Sequence, residues 1–148
     1  MGKLKDFQKR LSKVKESRIE KDLLKIVKSE ENLLVDANTE QLLRGEDSLG
    51  EIISPPYASK FYAEFKLHLN PAGVVDLKLT GAFHSKFKLI TKGWPVRIRS
   101  TDKKAPELEE KYGEEIYGVQ EETFGDINQS SIKPKVQEHF KRNVFELR

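Results

Sequence analysis

Residues 75–100, VDLKLTGAFHSKFKLITKGWPVRIRS, constrain the fold more than any other stretch. Val75, Leu77 and Leu79 alternate with Asp76, Lys78 and Thr80. Phe83, Phe87 and Leu89 share the parity of Ser85, with His84, Lys86 and Lys88 between them, and Val96 and Ile98 alternate with Arg97 and Arg99. A period of two places successive side chains on opposite faces of a half-buried strand. Gly81 separates the first run from the second, Lys92-Gly93 separates the second from the third, and Pro95 opens the third at a tolerated position. The pattern predicts a three-stranded antiparallel meander with one wet face, which needs helices over its apolar face.

The flanking segments supply them. Residues 1–28 carry Leu4, Phe7, Leu11 and Val14, then Ile19, Leu23, Ile26 and Val27 after a slip of one residue. This predicts one long amphipathic helix with a bend or register shift near residues 15–17. Leu33-Leu34-Val35 fits a short strand or a helix end. Asn38, as N-cap of a capping box with Gln41, and Gly45, as the C-terminal stop, predict a short helix over 39–44. Residues 46–50 read as a turn. Ser54-Pro55-Pro56 predicts the start of a helix whose Tyr57, Phe61, Phe65 and Leu69 recur at four-residue steps. Such an aromatic stripe is expected in the core. Residues 106–112 form a short helix closed by Gly113, residues 114–119 a small strand or irregular segment, and residues 120–129 a polar loop. Ser131 and Pro134 open a last helix with Val136, Phe140, Val144 and Leu147 as its stripe. The expected architecture is α+β and a single domain: a long N-terminal helix, short helices, the three-stranded meander and a C-terminal helix. Residues 1–30 act as a helical arm on a core of residues 31–148.

The 148 residues suffice for one modest core. At 36% hydrophobic and 34% charged the chain is polar for a globular domain, which implies much exposed or partner-covered surface. A net charge of +3, from 27 basic and 24 acidic residues, does not by itself imply nucleic-acid binding. The absence of cysteine excludes disulfides and thiolate chemistry. No secretory leader or apolar membrane span is read, so a cytosol-like compartment and no membrane partner are expected. His68, His84 and His139 fall on separate elements without metal-ligand spacing, Ser85 lacks a nucleophile-elbow context, and no glycine-rich phosphate loop occurs. Asp36 and Asp102 read as turn or cap residues. No enzyme, cofactor or metal is expected.

Four stretches carry a resemblance: LLVDANTEQLLRGEDSLGEII at 33–53, PYASKFYAEFK at 56–66, VDLKLTGAFHSKFKL at 75–89 and IRSTDKKAPELEEKYGEEIYGV at 98–119. In this order and spacing the chain resembles small virion proteins of tailed phages of Bacteroidetes-type hosts, of the head–tail joining, tail-completion or minor tail group. Leu79-Thr80-Gly81-Ala82-Phe83 is the sharpest mark. The chain departs from the group at Ala82, where an acidic residue is expected, so no carboxylate role carries over at that turn. The resemblance implies a non-enzymatic virion subunit that forms or completes an oligomeric ring at the neck or upper tail. Its implied partners are further copies of itself, portal, connector or tail proteins, and packaged DNA in transient contact.

A closing ring needs a contact between two different faces of like subunits. The basic N-terminal helix (Leu4, Phe7, Lys9, Leu11, Lys13, Lys21) and the acidic stretch 107–126 (Glu109, Glu110) are the expected faces. Trp94, at the tip of a hairpin, is either an interface anchor or a lid on the core. The alternative function is a small nucleic-acid-binding module that uses Lys86, Lys88, Arg97 and Arg99 on the wet face of the meander, with Trp94 or a Phe for stacking. Against it, alternating cations also keep a sheet soluble and block edge pairing.

Overall fold

The computed structural model describes residues 2–143; Val144 and Leu147 of the expected C-terminal stripe lie outside the described residues. The elements run α1 (Gly2–Leu11), α2 (Glu16–Ser29), α3 (Glu31–Leu43), α4 (Lys60–Leu69), α5 (Ala82–Ser85), β1 (Phe87–Ile90), β2 (Arg97–Ser100), α6 (Ala105–Tyr112), a 3-10 turn (Glu114–Ile116), α7 (Glu121–Ile127), a π turn (Asn128–Ile132) and α8 (Lys133–Asn143). The class is α+β, as expected.

The meander is a correction. The sheet has two antiparallel strands, with Phe87 opposite Ser100 and Ile90 opposite Arg97. The place where a third strand would pair is occupied by side chains. Leu89 N donates to Glu31 Oε1 at 2.8 Å, and Lys28 Nζ donates to Leu89 O at 2.9 Å. Residues 75–80 turn away instead, with Leu77 at φ +54° and Asp76 Oδ1 accepting from Lys78 N at 2.9 Å. Phe83 belongs to α5, not to a strand. It still reaches the core, 5.0 Å from Phe87 in an edge-to-face pair, with Tyr117 5.8 Å from Phe87.

The single long N-terminal helix is also corrected. It is two helices, α1 and α2, parted at 12–15 where the apolar stripe slips. No side chain caps α2 at Lys15. A helix that kept its register through the slip would carry its second apolar stripe off the face that packs on α3 and α8.

Asn38 and Gln41 do not cap a short helix; both are buried inside the longer α3. Asn38 Nδ2 donates to Ile116 O at 3.0 Å, and Asn38 Oδ1 accepts from Gly118 N at 3.1 Å. Gln41 Nε2 donates to Gly118 O at 2.7 Å, and Gln41 Oε1 accepts from Gln120 N at 3.1 Å. Two amides three apart on one helix face thus satisfy the backbone of an extended segment that has no strand partner. Asp36, expected at a turn, is an exposed residue of the same helix. Gly45 is the expected stop. Its N–H bonds Leu42 O and the next N–H bonds Gln41 O, a Schellman closure with Gly45 at φ +76°.

The aromatic helix starts at Lys60, not at Pro55. Pro56 disfavours the helical region at Pro55, and Ser59 is the N-cap, its Oγ accepting from Tyr62 N. Residues 121–127, expected as loop, are helix α7, which continues through the π turn into α8. Ser131 therefore lies within this helical run rather than at a cap, and its Oγ donates to Glu30 Oε2 at 2.6 Å. The π turn stands just before Pro134, which lacks the amide that an uninterrupted helix requires. The core is Leu34, Leu42, Ile53, Val75, Phe83, Phe87, Leu89, Ile98, Ala105, Ile116 and Tyr117.

Candidate interaction surfaces

The accessible surface is 10527 Å² for 17.1 kDa. A compact monomer of that mass exposes roughly 7,800 Å². Part of the exposed surface is apolar, on α1, on α4 and around Trp94.

Helix α1 has no buried residue among those described, and Leu4 is 61% exposed; Phe7 and Leu11 are exposed too. Its C-terminal end meets α2 and α8 around a small cavity lined by Arg10, Val14, Ile19 and Phe140. Of the lysines expected at an interface, Lys9 stands on α1, Lys13 in the break and Lys21 on α2, all exposed.

A larger groove of about 730 Å³ runs between α2, the β1–β2 loop and the α7–α8 run. Leu23 and Val27 form one wall, Trp94 and Val96 the loop side, and Phe124, Ile132 and Val136 the other wall. Trp94 is 52% exposed at the mouth. It does not stand alone, because Phe124, also exposed, lines the same groove. Phe124 escaped sequence reading because it is a single aromatic in a polar stretch with no periodicity of its own.

Helix α4 is turned the other way from expectation. Phe61 is 81% exposed, and Phe65 and Leu69 are exposed as well, so of the expected stripe only Tyr57, which precedes the helix, packs against the core. The buried residue of the helix is Lys66. Its Nζ donates to Asp76 Oδ1 at 2.6 Å and also to the Lys78 carbonyl. Asn70 Nδ2 donates to Asp76 Oδ2 at 3.0 Å. Burial pushes the Asp76 carboxyl up, but the bonds from Lys66, the Lys78 amide and Asn70 outweigh it and hold the group below the usual carboxylate range. Beside them His84 is buried, and its Nε2 has no hydrogen-bond partner. Burial lowers the pKa of this imidazole, keeping it neutral. A buried cation placed at this point of α4 needs its paired anion, so the helix docks through Lys66 and leaves the aromatic edge in solvent.

The acidic face is partly engaged within the chain. Arg99 lies 3.1 Å from Glu114 and 3.9 Å from Glu109, and stacks 5.2 Å over the Tyr117 ring. Glu110 is exposed. Of the cations in the nucleic-acid alternative, Lys86 pairs with Asp102 at 3.0 Å and Arg99 is paired as above, while Lys88 and Arg97 are exposed. The expected interface residues are thus not one patch: α1, the Trp94 groove and the Glu109–Glu110 helix are separate surfaces. Among the described residues no three His, Cys, Asp or Glu side chains converge as a metal site, and no helix is long and apolar enough to cross a membrane. Compared with family models, with curated proteins and with solved structures, the chain matches none.

Proposed function

We propose that this chain is a structural subunit of the neck or upper tail of a tailed phage, joining head to tail by forming or completing an oligomeric ring. The reading rests on the resemblance carried by residues 33–119. One observation of the fold supports it: apolar side chains on α1, on α4 and around Trp94 face solvent. Exposed apolar faces of this kind are the surfaces that neighbouring subunits cover. Portal, connector or tail proteins and further copies of the chain are the partners, and packaged DNA passes in transient contact.

The test is the location and mass of the protein. Mass spectrometry of purified virions, with antibody labelling in electron micrographs, is expected to place it at the neck at a fixed copy number. Light scattering is expected to show a defined oligomer, or a monomer that joins a ring of a partner. Reversing Lys9, Lys13 and Lys21 to Glu is expected to abolish assembly. A monomer absent from virions, binding DNA with a steep salt slope, would replace this reading with the nucleic-acid module.

A further inference from the structure

Helix α1 presents an apolar edge with a basic side, and the Trp94 groove presents apolar walls beside an acidic helix. The helix sets the exposed Leu4 and Leu11 two turns apart on one edge. At 1.5 Å per residue this edge is about 10 Å long. Its polar side carries Lys5 and Lys9, with Asp6 as the one acidic residue of the helix. The groove offers apolar walls from Leu23, Val27, Trp94, Val96, Phe124 and Val136. Helix α7, which carries Phe124, bears Glu121, Glu122 and Asp126 and no basic residue. Arg97 and Arg99 stand at the loop side, and Arg99 is already paired with Glu114.

We propose that α1 of one copy seats its Leu4–Leu11 edge in the Trp94–Phe124 groove of the next copy, with its cations against the carboxylates of α7. This deepens the ring reading and rests on it for the biological setting. None of the residues of α1 lines the groove of its own chain. Instead the C-terminal end of α1 sits beside Phe140, one turn beyond Val136 on α8. Donor and acceptor are different surfaces of the same chain, so the contact is heterologous and propagates from copy to copy until it closes. Burying both apolar surfaces supplies the driving force, and the charges set the direction of the helix in the groove.

Two variants of the full chain test this. Leu4→Glu with Leu11→Glu spoils the donor, and Trp94→Glu with Phe124→Glu spoils the acceptor. All four side chains are exposed, so folding is retained and is checked by circular dichroism. Each variant alone is expected to be monomeric in light scattering. Mixed, they are expected to form 1:1 dimers and nothing larger, because one intact α1 and one intact groove remain. Charge variants give a second, milder measurement. Lys5→Glu with Lys9→Glu, or Glu121→Lys with Asp126→Lys, is expected to weaken association by about tenfold, and combining the reversed pairs is expected to restore it. A wild-type chain that stays monomeric at high concentration, a double variant that still assembles, or a mixture that stays monomeric would overturn the proposal. Virion location is read separately, so a neck protein without helix exchange and a helix-exchanging protein absent from virions are distinguishable results.

Discussion

Lys66 Nζ lies 2.6 Å from Asp76 Oδ1, and with only 3% and 6% of the two side chains exposed this ion pair, rather than an aromatic stripe, fastens α4 to the core. Removing one partner leaves the other buried without its counter-charge. Lys66→Met is expected to destabilise the protein by about 3–5 kcal/mol. Lys66→Met with Asp76→Leu is expected to cost less than the sum of the two single changes. Urea unfolding of the three variants checks this, and additive costs would show that the pair is not coupled.

Acid should destabilise the protein in two pH windows. The His84 and Asp76 pKa values are both lower in the fold than in the unfolded chain. In each window the unfolded chain therefore binds more protons, so stability rises with pH and falls on acidification. The His84 contribution is complete above the ordinary imidazole value of 6.5 and is lost as pH drops below it. The Asp76 contribution is complete above 3.8 and is lost at lower pH. Unfolding free energy measured against pH is expected to show both declines, and His84→Leu is expected to remove the first and keep the second.

Asn38 bridges 78 residues to Ile116 and 80 to Gly118. Asn38→Ala strips the partners from a buried carbonyl and an amide, and is expected to cost about 2–4 kcal/mol. The Gly118 amide is expected to exchange with solvent faster in the variant, as read by hydrogen-exchange NMR. Unchanged exchange at Gly118 would mean that its protection comes from packing.

Gly45 and Gly50 both have positive φ, but their surroundings differ. A Cβ at Gly45 would lie 2.5 Å from Val74 Cβ, whereas at Gly50 the nearest atom is 3.8 Å away. Gly50→Ala is expected to cost about 1–2 kcal/mol for the left-handed backbone alone. Gly45→Ala is expected to cost clearly more, because the Schellman turn must also move off Val74. Equal losses in thermal unfolding would show that Val74 yields freely.

Local chemistry alone determined several features of this protein. The stop at Gly45, the end of α6 at Gly113, the β1–β2 pair and the amphipathic stripe of α2 all follow from turn residues and periodicity within a few positions. The solvent-facing apolar edge of α1 and the exposed Trp94 were also legible as candidate contacts. What the tertiary structure decided depends on partners far along the chain. The Val75–Leu79 alternation stays unpaired because Glu31 and Lys28 reach the Leu89 backbone first. Asn38 and Gln41 look like a cap, yet they serve the backbone of residues 116–120. The aromatic stripe of α4 faces outward because Lys66 on the adjoining face finds Asp76. Periodicity tells which side chains share a face. Whether that face is buried depends on which long-range polar groups require partners, and that is settled only when the chain is folded.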